Sequence, residues 1–446
     1  MSLKTLHLTN AWHATSGGIG TFYRSLLEAA NAIGHSLRLV VPADEDRIEE
    51  VGDWGRIYHL KASHAPLNRS YRMMYPPHYL SKNGRIKEIL NAEAPDLIEI
   101  CDKYTLPYLS GLLRINKLKG VKLHVPVIGL SCERMDENMS AYLSRSALGK
   151  RFCRWYMKNI YFVQFDHHIA NSEHTAQELR EASRGHKVRR AVWVAPMGVD
   201  VARFSPSLRS TELRQQLIER CGGRSDSTLL LYAGRLVPEK NLNLLAETIG
   251  RLNRCGLGDF RLVVAGEGIS QSELARVCES NAPGRTAFLG HVSSRDELAR
   301  LYATSDLFVH PNPREPFGIG PLEAMASGLP LVAPNCGGIT SYANESNAWL
   351  APPSAEDFAN AIERVLTDPK GREVRVRAAL QTASSYDWQV ISRDFLALYA
   401  EIAEFFHGRR QRPVRPPLFY STPGDFWGRE INDPIQTQTP EQRPFF

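Results

Sequence analysis

One rhythm runs through this chain twice, and it limits the fold more than anything else in the sequence. "KTLHLT" reads as a strand and leads through a glycine-rich loop into "TFYRSLLEAANAIG". There Phe22, Leu26, Leu27 and Ala30 recur at helical spacing, and Gly34 stands where a C-cap belongs. "SLRLVVP", "DLIEIC", "VPVIGLS", "HHIANS" and "AVWVAPMG" are further strand candidates. The rhythm restarts with "TLLLYAG" (228–234), "FRLVVAGEG" (260–268), "TAFLG" (286–290), "DLFVHP" (306–311) and "LPLVAP" (329–334). Helical stretches such as "NLNLLAETIGRLNRCG" separate these runs. Short strands alternating with helices demand parallel βαβ units, so two doubly wound α/β halves are expected.

The expected boundaries are residues 1–205 for the first domain and 206–387 for the second. "DVARFSPSLRSTELRQ", with Pro206 near its centre, serves as the linker. A late helix covers 388–406, and the tail 408–446, rich in Pro, Arg, Gln and Thr, reads as an irregular surface segment. A length of 446 residues suits two or three domains, and 43% hydrophobic residues supply two cores. No apolar run reaches the length of a membrane span. "MSLKTLHLTNAWHATSGG" lacks the apolar core of a signal peptide and reads as a first strand and loop. The 7 cysteines are scattered and none form a C-x-x-C pair, which argues against a zinc site or a disulfide framework and fits a reducing cytoplasm. The net charge of +6 is compatible with anionic partners, nucleotide phosphates or lipid head groups among them.

Chemistry concentrates in two places of the second half. In "LYAGRLVPEKN", Arg235 and Lys240 follow the carboxyl end of a strand, which is where open sheets bind ligands. Arg235 could grip two phosphate oxygens and Lys240 add a point charge. The bland alternative is two solvated bases in a loop. "AGEG" (265–268) is another strand-to-loop turn and equally fits a tight turn. "REPFGIGPLEAMASGLPLVAPNCGG" then places Glu315 and Glu323 around a turn that barely has side chains. A helix is expected from Pro321, with Glu323 in its first turn and Gly328 as its stop. Its free N–H groups would face an anion, and Gly318 and Gly320 would let backbone approach closely. The two carboxylates could hold sugar hydroxyls, act as a general acid/base pair, or be a capping acid beside a surface acid.

Together, "LYAGRLVPEKNLNLLAETI", "LVVAGEG", "FLGHVSSRDELARLYATSDLFVHP" and the glutamate pair with seven residues between resemble the C-terminal half of retaining GT-B glycosyltransferases of family 4 (group 1). "HIANSEHTAQEL" and "APMGVDVARFSP" resemble the family's segment before the interdomain linker. The match is close over residues 225 to 367 and loose in the N-terminal half. The resemblance implies a GT-B fold, two Rossmann-like doubly wound domains facing across a cleft, with the last helix crossing back to the first domain. It implies a nucleotide-diphosphate sugar as co-substrate, no cofactor and no metal. Arg235 and Lys240 would hold the diphosphate, Glu315 the donor sugar and Glu323 the ribose. The backbone of Phe317, Gly318, Ile319 and Gly320 would line the sugar and phosphate, Val292 would pass near the base, and Gly17 and Gly18 would belong to a loop closing on the phosphate. Retention would follow from same-face attack, with the leaving phosphate taking the acceptor's proton.

The family histidine after an N-domain strand has no counterpart in "VPVIGLSCERMDEN", where Ser131, Cys132 and Glu133 stand instead. Candidates for the acceptor side are therefore Glu133, Asp102 and His13. "DED" at 44–46 imitates a metal-binding D-x-D but reads as a solvated loop. "LSRSALGKRFCRWYMKNI" (143–160) has five bases and no acid. On a helix, Leu148, Phe152, Trp155, Tyr156 and Asn159 would share a face, with Lys150, Arg151, Arg154 and Lys158 opposite or beside it. This layout suits either a helix lying on an anionic membrane or an ordinary helix burying its aromatics. The expected function is transfer of a hexosyl group from GDP-mannose or a UDP-sugar to a saccharide or lipid-linked acceptor. The expected place is the cytoplasm, including the cytoplasmic face of a membrane, with no nucleic-acid partner. A sugar-nucleotide epimerase, a phosphorylase or a silent sugar-nucleotide-binding protein on the same scaffold are the alternatives.

Overall fold

Strands covered by helices on both faces read as near-continuous apolar runs; "LLLYA" and "LFV" do so here, while "KTLHLT" and "LIEIC" carry the buried polar residues His7 and Glu99. A computed structural model describes residues 3–12, 17–66, 71–142, 147–187, 190–256 and 258–408. The chain forms two units: one spans Met1–Met197 together with the segment from Gln389 on, the other Gly198–Trp388.

The first unit contains β1 (Lys4–Thr9), β2 (Ser36–Ala43), β3 (Arg47–Val51), β4 (Gly55–Lys61), a small ribbon of β5 (Ser63–His64) and β6 (Arg72–Met73), then β7 (Leu97–Cys101), β8 (Val127–Ser131), β9 (His167–Ala170) and β10 (Val192–Val194). The sheet order is β10-β9-β8-β7-β1-β2-β4-β3. Every pairing is parallel except β3 with β4. β3 and β4 were not visible in the sequence: "RIEEV" is a charged, largely exposed edge strand, and only pairing to β4 makes it a strand. Residues 44–46 form the exposed turn between β2 and β3. Asp44 pairs with Arg72, and Asp46 accepts the Lys61 N–H at 2.7 Å and faces Arg85 at 3.2 Å.

The late helix Trp388–Phe406 packs on this sheet through a buried polar knot. Tyr399 Oη donates to one oxygen of Glu99. Tyr23 Oη donates to the other at 2.9 Å, and His7 Nδ1 lies 3.0 Å from it. A fully buried carboxylate is costly unless bonded, so these partners tie the helix to mid-strand positions of β1 and β7.

The second unit contains β11 (Thr228–Ala233), β12 (Phe260–Ala265), β13 (Thr286–Gly290), β14 (Leu307–Val309), β15 (Leu331–Pro334) and β16 (Trp349–Ala351). Its order, β13-β12-β11-β14-β15-β16, is parallel throughout and is that of a dinucleotide-binding sheet. The helix Asn243–Arg254 seals one face with Leu244, Leu245, Ile249 and Leu252. Serine caps at Ser294 and Ser354 accept the N–H of Glu297 and Asp357 at 3.2 and 3.1 Å and fix two helix starts. "WLA" escaped notice as a strand because three residues carry no period.

The division falls ahead of the 205/206 position expected from the sequence. Val199 N–H donates to the Tyr386 carbonyl at 2.8 Å, and Trp388 N–H to the Val199 carbonyl at 3.0 Å. Buried Phe204 packs edge-on against Tyr302 at 5.5 Å. The stretch around Pro206 is therefore part of the second unit, with a 3-10 turn Pro206–Leu208 and the helix Thr211–Arg220.

Candidate functional site

In the second sheet the chain reverses its direction of travel between β11 and β14, and a crevice opens at the carboxyl ends of adjacent strands at such a switch. The loops leaving these two strands carry Arg235, Lys240 and Glu315. Gly234 leaves β11 at φ 155, and its N–H donates to Ala265 at 2.9 Å. A Cβ on Gly266 would sit 1.9 Å from the Gly234 carbonyl oxygen, so the "AGEG" turn is glycine because two backbones touch there. Lys240 closes the 3-10 turn Pro238–Lys240, and Asn241, in the left-handed region, donates to the Pro311 carbonyl at 3.1 Å. That bond joins the β11 loop to the β14 loop.

The β14 loop is stiffened by Pro311, Pro313 and Pro316. Asn312 Oδ1 accepts the Arg314 N–H at 3.0 Å, while its Nδ2 donates to Glu315 Oε2 at 2.8 Å. The same carboxylate oxygen receives Lys240 Nζ at 2.7 Å and faces His310 Nε2 at 3.4 Å. Burial by itself would raise the Glu315 carboxyl. The Lys240 ammonium, then His310, outweigh it and hold Glu315 well below the usual carboxylate range. Arg235 lies at the mouth of the loop, half exposed, 3.7 Å from Glu239.

Gly318 adopts the left-handed region at φ 92, and the helix starts at Ile319, not at Pro321. This corrects the sequence reading: Glu323 belongs to the second turn, and Pro321 falls among the opening positions, where it supplies no N–H. The open amides are then those of Gly318, Ile319 and Gly320. Tyr342 Oη donates to the Gly318 carbonyl and braces the turn, and its ring packs on Phe317 at 5.1 Å. Glu323 is buried and pairs with Arg295, with Nη1 2.9 Å from Oε1 but without the alignment of a hydrogen bond. Burial raises its carboxyl above the usual range, and Arg295 offsets part of that. The Tyr302 hydroxyl lies within hydrogen-bond reach of the same carboxylate. Val292 is half-buried in the loop after β13, beside Gly290.

The structure thus joins Lys240 directly to Glu315, sets Gly318–Gly320 at the helix start between the two glutamates, and gives Glu323 its own cation. Four contributors escaped the sequence reading: His310, Asn312, Arg295 and Tyr342. His310 and Asn312 stand in "HPNP", directly after a strand, and their position was the available signal. Arg295 and Tyr342 are remote in sequence and gave none. The "CGG" after β15 also acts here: Gly338 N–H donates to the Glu315 carbonyl at 2.6 Å, and a Cβ on Gly338 would lie 1.8 Å from the Pro316 oxygen.

In the first unit, Gly17 caps the helix Gly18–Ile33 after β1 with no side-chain cap, and an added Cβ there meets nothing. His13 lies outside the described residues. Asp102 follows β7, the neighbour of β1, and its Oδ2 accepts the N–H groups of Tyr104, Thr105 and Leu106 at 3.1, 2.7 and 2.8 Å. It is a turn-closing acid whose carboxyl burial pushes upward. Glu133 follows β8, accepts Tyr104 Oη at 3.3 Å and Asn138 Nδ2 at 2.5 Å, and is likewise raised by burial, with Lys103 opposing. Glu133 is the more open of the two.

Two doubly wound sheets, the second with a charged crevice at its switch point, make up a GT-B fold. Residues 214–382 match the profile of glycosyl transferases group 1, and residues 16–203 that of glycosyltransferase family 4. The chain belongs to glycosyltransferase family 4, group 1. It is 26% identical over 402 residues to a GDP-mannose-dependent alpha-(1-6)-phosphatidylinositol dimannoside mannosyltransferase of Mycobacterium tuberculosis, covering 90% of this chain and 97% of that one. A GDP-mannose-dependent alpha-mannosyltransferase of the same species is 26% identical over 398 residues, covering 88% and 94%. The sucrose-phosphate synthase of Thermosynechococcus elongatus shares the fold, with a TM-score of 0.68 at 20% identity over 90% of this chain and 99% of that one.

Proposed function

We propose that this glycosyltransferase is a retaining, metal-independent hexosyltransferase that moves mannose from GDP-mannose to a saccharide or lipid-linked acceptor. The observation that carries this reading is the Lys240–Glu315–Asn312 cluster set beside the open amides of Gly318–Gly320. The donor is favoured by the two full-length relatives named for GDP-mannose; a UDP-sugar is the second candidate. Cleavage of the anomeric C–O bond sends its electron pair to the diphosphate. Arg235, Lys240 and the helix-start amides meet that charge as it develops, so the reading takes no metal and no cofactor beyond the nucleotide sugar. Lys240 must exchange Glu315 for phosphate as the donor enters, and the freed Glu315 then accepts hexose hydroxyls. Glu323 takes the ribose hydroxyls, Phe317 and Ile319 line the sugar and phosphate, and Val292 meets the base. Gly17 and Gly18 complete phosphate binding. On the acceptor side Glu133 serves better than Asp102, whose Oδ2 is occupied by three amides. The acceptor proton leaves with the departing phosphate oxygen. The place of action is the cytoplasm, at the membrane face when the acceptor is a lipid, with residues 143–160 as the contact.

A thermal-shift series of GDP-mannose, UDP-glucose, UDP-galactose and UDP-N-acetylglucosamine tests the donor. The true donor at ~100 times its Kd adds about 2.7 kcal/mol of stability. Equal shifts from all four would remove the GDP-mannose assignment. Unchanged turnover in Glu315→Ala would remove the role of the cluster, and sugar-nucleotide epimer formation without transfer would replace the reaction class.

A further inference from the structure

Three nitrogens converge on one oxygen of Glu315, and only two of them are bonded to it. Lys240 Nζ lies 2.7 Å and Asn312 Nδ2 2.8 Å from Oε2. His310 Nε2 stands 3.4 Å from the same atom and has no hydrogen-bond partner. A carboxylate oxygen offers about two lone-pair sites, and Lys240 and Asn312 fill both. The His310 side chain is 6% exposed, so bulk water does not relieve its nitrogen. A buried donor left unbonded is costly, and one that a fold retains is expected to be bonded in another state of the site.

The position of His310 is fixed while its bond is not. It directly follows β14, and its N–H donates to the Val332 carbonyl at 2.9 Å. The carbonyl of the next residue, Pro311, accepts Asn241 Nδ2 at 3.1 Å. With the main chain held on both sides, only the side-chain torsions of His310 have to change. Closing by roughly half an ångström brings Nε2 to ordinary hydrogen-bond length. Two other side chains feel the Glu315 charge, Tyr232 and Tyr342. Each already donates its hydroxyl proton to a carbonyl, Tyr232 to that of Arg235 at 3.1 Å and Tyr342 to that of Gly318. Of these neighbours His310 alone has an uncommitted donor.

We propose that His310 is a positioning residue, the reserve partner of Glu315: when Lys240 leaves Oε2, Nε2–H turns onto the vacated site and holds the carboxylate beside the open amides of Gly318–Gly320. That a donor diphosphate is what draws Lys240 away rests on the glycosyltransferase reading above; the exchange of partners on Glu315 does not. In the empty site Lys240 holds Glu315. In the loaded site Lys240 faces phosphate, and without His310 the carboxylate would keep only the Asn312 amide, so the lysine would be released less readily.

The test is a double-mutant cycle read by melting, which needs no ligand. His310→Leu removes the donor at similar bulk, and Lys240→Met vacates the site on Oε2. The loss of Tm from His310→Leu should be larger in the Lys240→Met chain than in the wild type by about 4–8 °C, the effect of one hydrogen bond to a charged group in a unit of this size. Packing changes at position 310 occur in both backgrounds and cancel in the difference. His310→Gln, which keeps a side-chain N–H, should recover at least half of that loss. A second arm measures binding of GDP and of UDP to the full chain. His310→Leu should weaken whichever nucleotide the wild type binds by roughly tenfold, with His310→Gln within ~3-fold of wild type. A merely structural histidine lowers Tm alike in both backgrounds, and that additive result overturns the proposal. Nucleotide binding unchanged by His310→Leu overturns it as well. Coupling in the cycle with no nucleotide bound by the wild type leaves the exchange on Glu315 standing and removes the donor reading.

Discussion

Lys240→Met tests the electrostatics of the site without invoking a ligand. In the intact chain Lys240 Nζ lies 2.7 Å from Glu315 Oε2, with side chains 16% and 13% exposed. Exposed pairs contribute about 0–1 kcal/mol, and breaking a buried pair costs about 3–5 kcal/mol. This pair lies between those limits and Asn312 still donates to the orphaned carboxylate, so the expected loss is about 2 kcal/mol at neutral pH. For a unit of this size that is a fall in Tm of roughly 4–8 °C.

The pH dependence separates charge from packing. Glu315 is held below its ordinary value of 4.5 in the folded chain. Its contribution is therefore complete above the unfolded value and is lost as pH falls through the folded one. In Lys240→Met the burial that opposes ionisation is no longer outweighed by an ammonium, and the folded carboxyl moves upward. Less of the ionised carboxylate's advantage then remains to be lost as the pH falls. The gap between wild type and variant should be widest at neutral pH and narrow as the pH is taken below 4.5. Melting curves by circular dichroism across that range measure it. A gap of one size at neutral pH and at about pH 3.5 would refute the charge argument and leave only the packing of the lysine stem.

Two further outcomes follow from the same site. Arg295→Ala leaves Glu323 buried without its cation, so its already raised carboxyl moves further up. Donor KM should increase on the order of tenfold, with the acidic limb of kcat/KM displaced to higher pH and Arg295→Lys restoring part of both; an unmoved pH profile would exclude the pairing as the cause. Gly338→Ala sets a methyl 1.8 Å from the Pro316 carbonyl oxygen, so it should destabilise the chain by about 2–4 kcal/mol in urea titration and lower turnover by displacing Glu315; wild-type stability would show that the two loops separate freely.

How much of this was legible in advance depends on how local each cause is. β11, β12 and β15 are short, largely apolar runs closed by Gly or Pro, as a helix-covered parallel sheet requires, with Arg261 the one charge among them. β3 was illegible because an edge strand with one wet side needs no apolar code. The glutamates, the two bases and the glycine turn were likewise readable, since each charge or missing Cβ stands in the sequence whatever the fold.

By itself, the sequence determined the two βαβ series, the chemistry of the crevice and the turn that carries it, because period, capping and residue type act within a few positions of the chain. Tertiary structure alone decided which charge meets which. Lys240 and Glu315 are 75 residues apart and meet at 2.7 Å, Arg295 reaches Glu323 from another helix, and Tyr399 binds Glu99 across 300 residues. It also decided that Phe152 and Trp155 face water while Tyr156 faces the core, because a helix's pattern fixes its stripes and only its neighbours fix which stripe is buried.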